Sequence, residues 1–181
     1  IADREYGESF NSPGAILRCD FDGGNLEVLI SENLPNPMGL ALERAGTDVY
    51  LYWTDMNLDQ IYRAQLPLQG TDAADHVILD FSDGVEEPTD IVVDGSLDRI
   101  YWLQQAGAAY LRFASIAPDG SATVGVPELV TVNETDPYSM TIWPDSSIYF
   151  WTSRYDNGVD ATEIRSRGYQ DSPDEYDVVI S

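Results

Sequence analysis

Tryptophan recurs at positions 53, 102 and 151, two steps of 49 residues, each time inside a short run of strand-forming residues. A self-similar period of this length marks one supersecondary unit that cannot bury its apolar face alone and must stack on its neighbours. The runs are Leu51-Tyr52-Trp53-Thr54-Asp55, Ile100-Tyr101-Trp102-Leu103-Gln104 and Tyr149-Phe150-Trp151-Thr152-Ser153. A second segment precedes each of them: Pro37-Met38-Gly39-Leu40, Pro88-Thr89-Asp90-Ile91 and Pro137-Tyr138-Ser139-Met140. A third ends on arginine at Arg18, Arg63, Arg112 and Arg165, and a fourth is short and aliphatic, as in Val28-Leu29-Ile30 and Val77-Ile78-Leu79.

These segments are rich in β-branched and aromatic residues and are bounded by Gly, Pro, Asn or Asp, which predicts strands. Asp22-Gly23 and Asp119-Gly120 fall between third and fourth segments as hairpin turns, where a positive φ is needed. No ten-residue stretch holds a 3.6-residue period, so almost no helix is expected. The unit is a four-stranded antiparallel meander, and stacked meanders of this size predict an all-β fold, a β-propeller. The 181 residues hold about 3.7 such repeats in one repeat domain, partitioned as 1–36 (a partial first blade), 37–87, 88–136 and 137–181.

Charge narrows the function. The chain carries 32 acidic residues against nine basic ones, all arginine, for a formal charge of −23. A nucleic-acid footprint and a polybasic membrane patch are excluded, and no stretch is apolar for long enough to span a membrane as a helix. The 43% hydrophobic content with 11 tyrosines is more than a disordered chain carries. Cys19 has no partner in the chain, which removes internal disulfides, Cys-x-x-Cys motifs and cysteine-based zinc sites; it reads as a small buried or half-buried apolar side chain. His76 is the single imidazole and reads as a surface residue at a strand end, so covalent catalysis is not expected.

Tyr52-Trp53-Thr54-Asp55, with Asn36-Pro37-x-Gly39-Leu40-Ala41 before it and Ile61-x-Arg63-Ala64 after it, resembles the YWTD repeat of low-density-lipoprotein-receptor-type (class B) proteins. The segment Arg18-Cys19-Asp20-Phe21-Asp22-Gly23-Gly24-Asn25 is similar to that family's strand-turn element. Later units depart from the pattern, with Leu103 at the Thr position and Gln104 and Ser153 at the Asp position. The resemblance implies closed rings of six blades, a signature Asp that ties one blade to the next, and protein recognition outside the cell. A chain of about 3.7 repeats that begins on Ile1 is then expected to be a portion of a longer protein, a small four-bladed ring completed by another strand, or a subunit that joins copies through open blade edges.

Trp53, Trp102 and Trp151, with Tyr52, Tyr101 and Phe150 beside them, read as packing between stacked sheets, roughly 2–3 kcal/mol per buried aromatic side chain. Arg18, Arg63, Arg112 and Arg165 recur at one strand position and are expected to face acidic partners, the alternative being a solvated strand face. Asp55, Asn57 and Asp59 place oxygen donors at alternate positions, like the opening of a calcium loop but without its Gly and distant Glu; the alternative is an Asx-rich hairpin. Asn133 heads the sequon Asn133-Glu134-Thr135, a glycosylation site in a secreted chain. The expected function is an extracellular, non-enzymatic protein-binding or assembly module that draws partners with basic surfaces. A filament subunit assembled through blade edges and a metal-assisted hydrolase or lyase are the alternatives.

Overall fold

A computed structural model describes residues 2–3, 14–105, 110–117, 122–123, 139–143, 148–156, 160–168 and 177–180, with side-chain surroundings for 14–105, 111–117 and 139–143. The chain has two compact units, Ile1–Pro88 and Thr89–Ser181, and the boundary falls where the second repeat meets the third.

Strands form four antiparallel sheets, each in chain order. The first holds β1 (Ala2–Asp3), β2 (Ala15–Arg18) and β3 (Glu27–Ile30). The second is β4 (Pro37–Ala45), β5 (Asp48–Asp55), β6 (Gln60–Leu66) and β7 (Val77–Leu79). The third is β8 (Pro88–Asp94), β9 (Arg99–Gln104), β10 (Tyr110–Ile116) and β11 (Ala122–Thr123). The fourth is β12 (Met140–Trp143), β13 (Ile148–Asp156), β14 (Asp160–Gly168) and β15 (Asp177–Ile180). Pro37 and Pro88 each begin an edge strand, where a residue without an N–H is tolerated.

Among the described residues the only helical turns are 3-10, at Ala73–His76 and Phe81–Asp83. None is long and apolar enough to cross a membrane. The fold is thus all-β and antiparallel, as the segment pattern predicts. Gly23, at φ +84°, sits in the β2–β3 turn as expected, whereas Asp119-Gly120 lies outside the described residues.

In the first unit, Ile16, Ile30 and Leu34 pack against Leu51, Trp53, Tyr62 and Ala64, so the first two sheets bury apolar faces against each other. Trp53 and Tyr62 are cross-strand partners, and their rings stack at 5.0 Å and 4°. In the second unit, Tyr101, Leu103 and Leu111 pack with Met140, joining the third and fourth sheets.

A polar latch joins the segment after β3 to the segment before β7. The Ser31 and Glu32 N–H groups donate to Thr71 O, at 3.1 and 3.2 Å, and Ala73 N–H donates to Glu32 O at 3.0 Å. Asn33 Nδ2 donates to Asp72 Oδ1 at 2.8 Å, and the same oxygen accepts from Ala74 N–H, capping the first 3-10 turn. The Asn33 amide and the Ala74 N–H hold the Asp72 carboxyl below its usual range. A carboxylate whose folded-state value is lowered stabilises the fold above its unfolded value of about 3.9 and loses that contribution as acid titrates it through the lower one. Asp72→Asn is therefore expected to lower the melting temperature at neutral pH, with the gap to the native chain closing on acidification; a gap that does not depend on pH would refute this role.

Candidate functional site

The signature carboxylate is a hydrogen-bond hub. Asp55 ends β5, fully buried; its Oδ2 accepts from Asn36 N–H at 2.8 Å, and its Oδ1 from Asn57 and Leu58 N–H, both at 3.0 Å. The β4–β5 register is irregular between Pro37 and Leu40, which frees backbone donors. Thr54 Oγ1 takes one of them, Gly39 N–H, at 2.9 Å. Thr54 thus satisfies an N–H group that the irregular ladder leaves over, and Asp55 satisfies Asn36 ahead of β4 and two N–H groups of the turn that follows it. Burial outweighs these bonds and raises the Asp55 carboxyl above its usual range.

The alternating donors do not fit a cation. Asn57 Oδ1 accepts from Asn36 Nδ2 at 2.9 Å, and Asp59 Oδ1 from Glu87 N–H at 2.7 Å. With Asp55 also turned onto backbone donors, the geometry is that of the Asx-rich hairpin. No cluster of three or more His, Cys, Asp or Glu side chains suited to a metal occurs among the described residues.

The third sheet carries other residues at these positions, and they meet other partners. Where Thr54 accepts from the neighbouring strand, Leu103 cannot, and Thr89 on β8 donates its hydroxyl to Leu103 O at 3.4 Å. Gln104 replaces Asp55 and accepts from Trp102 Nε1 at 3.0 Å and Arg112 Nη1 at 3.5 Å. Trp53 Nε1, by contrast, is buried with no partner among the described residues.

The arginines do not share one environment. Tyr52 pairs with Arg63 in the second sheet, whereas Trp102 pairs with Arg112 in the third. Four residues separate the paired Asp55 and Gln60 in one sheet and five separate the paired Gln104 and Tyr110 in the other, and that one-residue difference moves arginine from the tyrosine face to the tryptophan face. Arg18 pairs with Glu27, as expected of an acidic partner. Arg63 lies 3.7 Å over the Tyr50 ring and donates through Nε to Tyr52 Oη at 2.7 Å. That hydroxyl donates in turn to Glu43 Oε2 at 2.6 Å, so the acid is one hydroxyl removed. Arg112 Nη1 donates to the Gln104 amide oxygen. Trp151 and Arg165 are cross-strand neighbours in backbone register; their side chains, with that of Phe150, and Asn133 lie outside the described side-chain surroundings.

His76 departs from the surface position expected of it. It closes the first 3-10 turn, half-buried, with its ring edge-on to Trp53 at 5.9 Å. Asp90 was not singled out by any motif. Its Oδ2 accepts Met140 N–H at 2.8 Å and its Oδ1 accepts Ile91 N–H at 2.9 Å, which ties the start of β8 to the start of β12. Burial raises this carboxyl as well. The signal available was positional: Gly39, Asp90 and Ser139 occupy the same place in three repeats.

The β2–β3 turn presents the most exposed aromatic residue of the described surface. Phe21 is fully exposed between Asp20 and Asp22. The turn is held by Asp20 N–H to Gly24 O at 2.8 Å and Gly23 N–H to Asp20 O at 3.0 Å. Gly24 N–H donates to Asp22 Oδ1 at 2.8 Å, and Asn25 Nδ2 to Asp20 Oδ2 at 2.6 Å. Chemically this is a rigid apolar knob with an anionic collar.

No family model matches the chain. Over 132 residues, 73% of this chain and 19% of the relative, it is 26% identical to Protein cueball of Drosophila willistoni. The chain therefore spans about a fifth of the length of that curated relative. Among solved structures it is similar to a proposed 6-phosphogluconolactonase from Bacteroides uniformis, with a TM-score of 0.44 and 13% identity over 92% of this chain and 50% of that one.

Proposed function

We propose that this chain is a non-enzymatic protein-recognition module of the extracellular space, built from YWTD-type blades of a β-propeller. Stacked antiparallel meanders of three or four strands with apolar faces turned to one another support the propeller reading, as does the Asp90 tie between the first strands of consecutive sheets. The observation that carries the recognition reading is Phe21. A large apolar side chain left in water on a turn already held in shape costs little ordering on binding, which is the character of a hot-spot anchor. Asp20 and Asp22 beside it, and the net charge of −23, select a partner whose apolar pocket has a cationic rim.

A photo-crosslinking residue at position 21 identifies the partner, and the affinity of the purified pair then tests the reading. Phe21→Ala is expected to weaken binding by about 2 kcal/mol, roughly thirtyfold, and association is expected to slow as salt is raised. Native affinity in the Phe21→Ala chain would sink the proposal.

A further inference from the structure

A second feature of the first unit, reached along the chain from the Phe21 turn, has the form of a small-molecule site. A cavity of about 400 Å³ opens between the first two sheets, within the range of ligand pockets, roughly 300–1,000 Å³. Leu17 and Leu29 wall it from the first sheet, and Leu40, Leu42, Leu51 and Leu66 from the second. Its polar groups are concentrated at the end of β2, where Arg18 and Cys19 join the lining. Leu42 is well exposed, so the apolar wall continues out to solvent.

We infer that this cavity binds a medium-chain aliphatic carboxylate, with the chain between the leucine walls and the carboxylate on Arg18. Size selects the occupant. At about 30 Å³ for a water-sized group, the space holds roughly a dozen heavy atoms, more than one intruding side chain supplies and close to the size of decanoate. Charge selects the head group. Arg18 is the charged residue of the lining, and its contact with Glu27 uses Nη2, which leaves the other guanidinium N–H groups for a second carboxylate. Both members of that ion pair are more than half exposed, at 59% and 53%, so its rearrangement is inexpensive. Of the acidic side chains, Glu27 is the one in contact with Arg18, and physiological salt screens those farther off than about 8 Å.

Cys19 makes the test direct. It is the only cysteine of the chain, free and half-buried, and it lines the cavity, so an occupant must shield it. The rate at which a thiol-reactive disulfide reagent modifies the intact protein is measured against decanoate below its micelle concentration, with decanol as the neutral probe. Saturating decanoate is expected to slow modification at least tenfold. Arg18→Gln is expected to raise the half-protecting decanoate concentration about tenfold while leaving decanol's unchanged. The Arg18 side chain is exposed, and the melting temperature of the variant confirms that it folds. Unchanged labelling with decanoate would overturn the site, and equal responses to both probes after Arg18→Gln would overturn the carboxylate assignment.

Discussion

Replacing Trp53 by alanine is expected to lower the unfolding free energy by about 3–5 kcal/mol, measured from denaturant or thermal midpoints. The indole is fully buried between two sheets, stacked on Tyr62 and edge-on to His76, so truncation leaves a void lined by strands that pair with their neighbours and cannot collapse inward. Phenylalanine separates packing from polarity. Trp53 Nε1 has no partner among the described residues, and Trp53→Phe is expected to lose only ring area, about 1 kcal/mol. Trp102 Nε1 donates to the buried Gln104 amide, which also accepts from Arg112, so Trp102→Phe is expected to cost about 1 kcal/mol more. Equal costs at the two positions would refute the difference in polar environment, and a loss below about 1 kcal/mol for Trp53→Ala would refute the packing role.

Asp55→Ala is the second large effect, at about 3 kcal/mol, because it strips an acceptor from the N–H groups of Asn36, Asn57 and Leu58 together. Its pH dependence has the opposite sign to that of Asp72. Burial raises the Asp55 carboxyl, so between the unfolded value, about 3.9, and the raised one the folded chain holds a proton that the unfolded chain has released. Stability from this group therefore rises as pH falls through that window. Asp55→Asn removes that rise, and the stability difference between native chain and variant should widen on acidification. A difference that narrows there would show that the bonds to Asn36, Asn57 and Leu58, not burial, govern the group.

Strand content, sheet membership and the burial of Trp53 and Trp102 were legible because each rests on local pattern: β-branched and aromatic runs, turn residues at their ends, and a repeat that needs a neighbour to bury its face. The site was less legible. The Asp55–Asn57–Asp59 alternation reads as a ligand set in one dimension, yet its oxygens turn toward backbone donors of other segments, Asn36 and Glu87 among them. The arginine row reads as one position, but a hairpin longer by one residue moved Arg112 to the other face. Asp90 was missed because its partner, Met140, lies fifty residues away.

Taken alone, the sequence determined that this chain is all-β, that its repeats must stack, and that its charge is acidic while the repeated Trp53 and Trp102 pack inside. Those follow from composition and period, which act over a few residues. Tertiary structure decided which carboxylates are hubs, which arginine meets an acid, where Phe21 stands in water and where a leucine-walled cavity opens beside Cys19. Each of these depends on which strand ends the stacking of sheets brings together, and the register that sets it is a property of pairs of segments that no single segment carries.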